Sequence, residues 1–115
     1  MSNRAQRAGE VLRDKLSEII AREIELPKDS LVTVLRAQIS PNLRSAKIWI
    51  TVSPEENIGI VYGKLRDSVK ELRRLLAAKL DWQFTPLLSF RIDRGAMAAQ
   101  EVERLLEQIR QESKK

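Results

Sequence analysis

The 23 residues from Ile58 to Leu80 place the strongest constraint on how this chain can fold. Ile58, Val61, Leu65, Val69, Leu72 and Leu76 recur at steps of three and four, the period at which side chains share one face of an α-helix. A second stripe runs beside the first. Arg66, Lys70 and Arg73 stand at i, i+4 and i+7, with Arg74 just round the flank, so these cations project to one side. Between Asn57 and Asp81 there are six basic residues and three acidic ones, against 21 and 16 in the whole chain. One face is suited to burial and the adjoining flank to meeting negative charge.

The remaining segments supply partners for that face. Arg4 to Glu25 reads as a first helix through Ala8, Leu12, Leu16, Ile19, Ile20 and Ile24, ended by Pro27. After a turn at Pro27–Ser30, Leu31 to Ile39 reads as a strand, with Leu35, Ala37 and Ile39 alternating against Arg36 and Gln38. Ser40 to Arg44 breaks it. Ala46, Ile48, Ile50 and Val52 then alternate with Lys47, Trp49 and Thr51, so the two strands should form an antiparallel hairpin with one apolar face. Ser53-Pro54-Glu55-Glu56 has the form of a capping box, which places the start of the basic helix near Pro54 and its end near Leu80. A connection to Pro86, a third strand over Leu87–Asp93, a turn at Arg94-Gly95 and a final helix from Ala96 to about Glu112 complete the pattern. The expected architecture is α+β, in the order α-β-β-α-β-α, with a three-stranded sheet covered by helices on one face. The domain spans residues 1–112, and residues 113–115 read as a frayed end.

Composition narrows the chemistry. Without cysteine or histidine the chain has no disulfide, thiolate nucleophile, zinc cluster of the usual ligands or histidine general base. It has neither of the glycine-rich phosphate cradles. Asp93 and Glu101 could be imagined as a carboxylate pair, but they read as solvated surface. Gly59 and Gly63 read as a place for close packing or a weakened first turn, since G-x-x-x-G has its special meaning only in an apolar membrane helix. No apolar run approaches the roughly 20 residues of a membrane span, and the opening MSNRAQRAGE has no apolar secretory segment. The expectation is a cytoplasmic, monomeric, non-enzymatic protein with no cofactor, metal or small-molecule substrate. The sequence pI near 9.9 favours polyanionic partners. Three of the four cations on the basic helix are arginine, suited to two-pronged phosphate contact. RNA or DNA is therefore the expected ligand of that flank; the alternative is an acidic protein partner. Trp49, Tyr62, Trp82 and Phe84 could stack on bases, but Trp49 reads as cross-strand cover, and Trp82 and Phe84 as the edge of the core.

Several short words in fixed order resemble the bacterial ribosome-binding factor A family over nearly the whole chain. Arg4-Ala5-Gln6-Arg7 is similar to the family's paired N-terminal basics. Ser40-Pro41-Asn42-Leu43-Arg44-Ser45-Ala46-Lys47 resembles its Ser-x-x-Leu-x-x-Ala-Lys signature, with Trp49 as the aromatic two residues on. Arg73, then Pro86-Leu87-Leu88-Ser89-Phe90-Arg91-Ile92-Asp93, is similar to its Arg and Pro-x-Leu-x-Phe-x-x-Asp. The resemblance implies a type II KH-like RNA-binding domain without the usual G-x-x-G loop. It further implies a factor that binds the small ribosomal subunit and its rRNA late in maturation, assists precursor processing and matters most in the cold. Arg66, Lys70, Arg73 and Arg74, with Arg4 and Arg7, are the expected RNA contacts. The chain departs from the family at Ser68-Val69-Lys70, where a small residue, any residue and then glycine mark a kink, and at Gln83, where arginine is frequent. Without that glycine, a straight helix or a bend made by Ser68 alone is expected. The chain also ends soon after its last helix, so the longer tail of some members is not expected.

Overall fold

A computed structural model describes residues 3–113. Strands β1 (Leu31–Ile39) and β2 (Ser45–Ser53) form the expected antiparallel hairpin, from Leu31 opposite Ser53 to Ile39 opposite Ala46. Strand β3 (Leu87–Ile92) lies on the other side of β2 and parallel to it, from Ser45 opposite Leu87 to Ile50 opposite Ile92. A parallel neighbour is out of reach of a tight turn, so the chain between β2 and β3 must cross over the sheet. Helices α2 (Ile58–Asp67) and α3 (Val69–Lys79) make that crossover. Helix α1 (Asn3–Glu23) packs beside them, against β1. Leu12, Leu16, Ile19 and Ile20 of α1 meet Val61, Leu65, Leu72 and Leu76 of α2 and α3 over Ile48, Ile50, Leu88 and Phe90 of the sheet, in one core. The approach of α1 is set by Gly9: a Cβ there would stand 2.4 Å from the carbonyl oxygen of Ala37. The chain is α+β, with a three-stranded mixed sheet and helices α1–α3 on one face.

Four details differ from the expectations. In β1 the register shifts between Val34 and Arg36, so Leu35 drops out of the alternation expected for it with Ala37 and Ile39. This bulge lets buried Val34 and half-buried Ala37 face the helices although they are three residues apart. Second, the capping box does not form. Ser53 remains in β2, a 3₁₀ turn occupies Glu55–Asn57, and Pro54, extended at φ −73° and ψ 157°, makes no side-chain cap. Strand pairing of Ser53 with Leu31 takes precedence over helix initiation. Third, the helix from Pro54 to Leu80 is two helices that meet at Ser68. Gly59 and Gly63 in α2 have open space where a Cβ would stand, so no neighbour packs closely against either. Fourth, helix α4 (Arg94–Ser113) buries none of its residues; the expected frayed end otherwise lies outside the described residues.

The helix is thus interrupted at Ser68 without a glycine. Ser68 sits at φ −96°, ψ 2°, a region open to ordinary residues and not the left-handed one that favours glycine. Its N–H donates to the carbonyls of Lys64 at 3.0 Å and Leu65 at 3.1 Å, and its own carbonyl accepts from Leu72 at 2.8 Å. Hydrogen bonds thus continue across the break. Leu65 and Leu72 remain buried on either side, so the apolar stripe continues across it.

Candidate nucleic-acid interface

The cations of the crossover helices do not behave as one set. Arg66, Lys70 and Arg74 are exposed. Arg66 lies 3.4 Å from Asp67, an exposed pair. Arg74 clasps Glu71 one turn away with both Nε and Nη2; hydrogen bonding to Arg74 holds the Glu71 carboxyl below the usual carboxylate range and raises the guanidinium pKa in return. Such pairs at the surface are weak and readily exchanged. Lys70 makes no ion pair among the described residues. Arg73 differs from the other three in bonding the chain itself. It is half-buried, and its Nε and Nη2 donate to the carbonyls of Pro86 at 3.1 Å and Thr85 at 2.9 Å. Its side chain fastens the α3–β3 connection through two of its five N–H donors.

Arg4 and Arg7 stand elsewhere. They line a groove of about 540 Å³ between the start of α1, the β1–β2 turn and the α3–β3 connection. Arg44 reaches the groove from the turn, and Trp82 and Phe84 reach it from the connection. The Arg44 guanidinium lies 4.9 Å from the centre of the Phe84 ring, within cation–π range. Phe84 is exposed, not at the core edge; Trp82 packs against the core as expected. The turn is built by its own side chains. Asn42 Oδ1 accepts from the Ser40 hydroxyl at 2.7 Å and the Arg44 N–H at 3.0 Å, and the Ser40 hydroxyl accepts from the Ser45 N–H at 3.2 Å. Leu43, at φ 61°, holds a left-handed conformation that costs a non-glycine residue about 1–2 kcal/mol. Packing of its side chain against the core offsets that strain, which gives the Ser-x-x-Leu pattern a physical reason.

Sequence reasoning did not single out Arg44, and it did not foresee that Arg73 bonds the carbonyls of Thr85 and Pro86. The signal for Arg44 was its place in a turn rich in short polar residues, where side-chain to backbone bonding fixes direction. Trp49 lies half-buried on the sheet face away from the core, as cross-strand cover. Its Nε1–H donates to Gln38 at 3.2 Å, and Arg36 stacks 4.7 Å from its ring centre.

Comparison with known proteins now gives the family. The sequence profile of ribosome-binding factor A matches residues 4–106. Ribosome-binding factor A of Thermomicrobium roseum is 39% identical over 113 residues, covering 96% of this chain and 87% of that protein. The Rhodopirellula baltica protein is 32% identical, covering 96% and 82%. Among solved structures, the fold is similar to a Thermotoga maritima protein described as a ribosome binding factor A, with a TM-score of 0.68, 22% identity and coverage of 83% and 92%. It is similar also to a Thermus thermophilus ribosome binding factor A model fitted into a cryo-EM map of a 30S complex, with a TM-score of 0.64, 23% identity and coverage of 75% and 91%. A profile match over most of the residues, with relatives above 30% identity along nearly the full length, means that this chain belongs to the ribosome-binding factor A family.

Proposed function

We propose that this protein is a non-enzymatic assembly factor of the cytoplasm that binds the small ribosomal subunit through its rRNA during late maturation. On this reading it assists processing of the rRNA precursor, with the greatest demand in the cold. The observation that carries the reading is the pairing of family membership with two basic surfaces on one small domain. Arg66, Lys70 and Arg74 on the crossover helices, with Arg4 and Arg7 at the start of α1, serve as phosphate contacts. Exposed arginines and lysines in shallow ion pairs can exchange a carboxylate for a phosphate at little cost. Arg73 serves the interface indirectly, by holding the connection that carries Trp82 and Phe84.

Sedimentation of the protein with purified small subunits tests this. Binding should weaken with salt, with a log–log slope of about 0.7–0.9 per phosphate contact. Arg66→Glu, Lys70→Glu and Arg74→Glu together should reduce co-sedimentation strongly and lower the slope, with thermal stability nearly unchanged because all three side chains are exposed. Undiminished binding by that triple variant sinks the assignment of the helix flank.

A further inference from the structure

Phe84 leaves 53% of its surface open to water, an unusual placement for a large ring in a domain with a core within reach. The ring and the Arg44 guanidinium lie together beside half-buried Trp82, and Arg4 and Arg7 line the same groove. Its walls are fixed from both sides. Asn42 and Ser40 set the β1–β2 turn, and Arg73 pins the carbonyls of Thr85 and Pro86. The Leu87 N–H donates to the Arg44 carbonyl at 2.9 Å and ties the two walls to each other. A groove set in this way loses little freedom when it is filled.

Cations alone would suit any phosphate. An open aromatic face among them suits a planar base, and a base offers its faces for stacking only when it is unpaired and splayed out of a helix. We propose that this groove takes one unpaired nucleotide of a single-stranded RNA segment, with the base stacked on the Phe84 and Trp82 side and the phosphate held by Arg4 and Arg7. Asp81, the single acidic residue lining the groove, offers an acceptor for a base edge and leaves the arginines in excess. An acidic peptide would match the charge but leave the rings without a planar partner. The inference deepens the RNA-binding reading above and rests on it.

The test uses the full chain carrying Trp49→Phe, so that Trp82 is the only indole of the two. The probes are a short uridine-rich single strand, the same strand in a duplex, the same strand with abasic sites, uridine monophosphate and a polyglutamate peptide. The intact single strand should quench Trp82 emission. Phe84→Ala and Arg44→Ala should each weaken its binding roughly tenfold, and the abasic strand should bind as weakly and be indifferent to Phe84→Ala. Both variants alter exposed side chains, and a thermal melt checks that they fold. Equal binding of intact and abasic strands, with Phe84→Ala silent, overturns the groove. If small subunits still bind under that outcome, the RNA reading survives alone; if they do not, both fail. Binding of the monophosphate with no gain from a strand, or of polyglutamate in preference to RNA, likewise overturns the proposal.

Discussion

Helices α1 and α4 are nearly equal in length, 21 and 20 residues, and each carries an apolar stripe at helical spacing. Their fates differ. Helix α1 buries Gly9, Leu12, Leu16, Ile19 and Ile20. Helix α4 leaves Val102, Leu105, Leu106 and Ile109 between 43% and 57% exposed. It meets the sheet near its start, where Gln100 donates to the buried Thr51 hydroxyl at 3.5 Å. Thr51 alternates with Ile50 and Val52 and so faces away from the core. Periodicity specifies that a helix forms; topology decides whether any surface is left to receive it. By the time β3 ends, α1, α2 and α3 already cover the apolar face. Helix α4 carries ion pairs along its own surface, Glu101–Arg104 and Glu107–Arg110 one turn apart, each adding about 0.2–0.5 kcal/mol at most. Asp93 caps its start, accepting the Ala96 N–H at 2.9 Å.

The contrast can be broken most directly by truncation. Leu12→Ala should cost about 2–5 kcal/mol, the usual range for a fully buried leucine, whereas Leu105→Ala should change stability by no more than about 0.5 kcal/mol. Urea unfolding of the two variants measures both, and a large loss for Leu105→Ala would mean that α4 finds a partner in solution. Smaller but opposite in sign are the effects of adding one methyl group to each helix. Gly9→Ala should destabilise by about 1–3 kcal/mol, because the new Cβ meets backbone that must shift. Gly95→Ala, whose Cβ would stand an ordinary 3.6 Å from Asp93 Oδ1, should gain about 0.5 kcal/mol through helix propensity. Equal effects would erase the claimed difference in packing.

The smallest effect concerns pH. The Ala96 N–H, and then Arg36, hold the Asp93 carboxyl below its ordinary value. The folded state thus favours the charged form. That stabilisation is complete above the unfolded carboxyl's pKa near 4 and is lost as pH falls through the lower folded value. Helicity followed by circular dichroism should therefore drop on acidification in that window. Asp93→Asn, which keeps a capping oxygen but no titrating proton, should flatten this part of the curve. An unchanged curve would remove Asp93 from the account of α4.

Most of the fold was legible because its signals are local. Alternation marked both hairpin strands, a three-and-four spacing marked every helix, and Pro27 and the Ser40–Arg44 turn marked breaks. The errors fell where tertiary contacts overrule local preference. Ser53 was a plausible cap that strand pairing kept, and Leu35 was displaced by a bulge that alternation cannot announce. The candidate interface divides in the same way. The exposed flank of Arg66, Lys70 and Arg74 follows from helical spacing alone. The groove joins Arg4 and Arg7, Arg44, and Trp82 and Phe84 from three distant stretches, and no window on the sequence contains it. Arg73 and Arg74 are adjacent and chemically identical, yet one bonds backbone carbonyls and the other an exposed carboxylate.

The hydrogen bond from Leu87 to Arg44 has a kinetic side. The β1–β2 hairpin closes over five intervening residues, whereas β3 joins β2 only after the 33 residues between them have crossed the sheet. Local contacts form early and distant ones late, so Trp82 and Phe84 reach Arg44 only when the last strand docks. Any opening that frees β3, an edge strand, also separates the walls of the groove, while the hairpin and α1 can stay in place. The groove is thus a surface that only the fully assembled chain can present, and a partner that needs it reads completion of folding as well as shape.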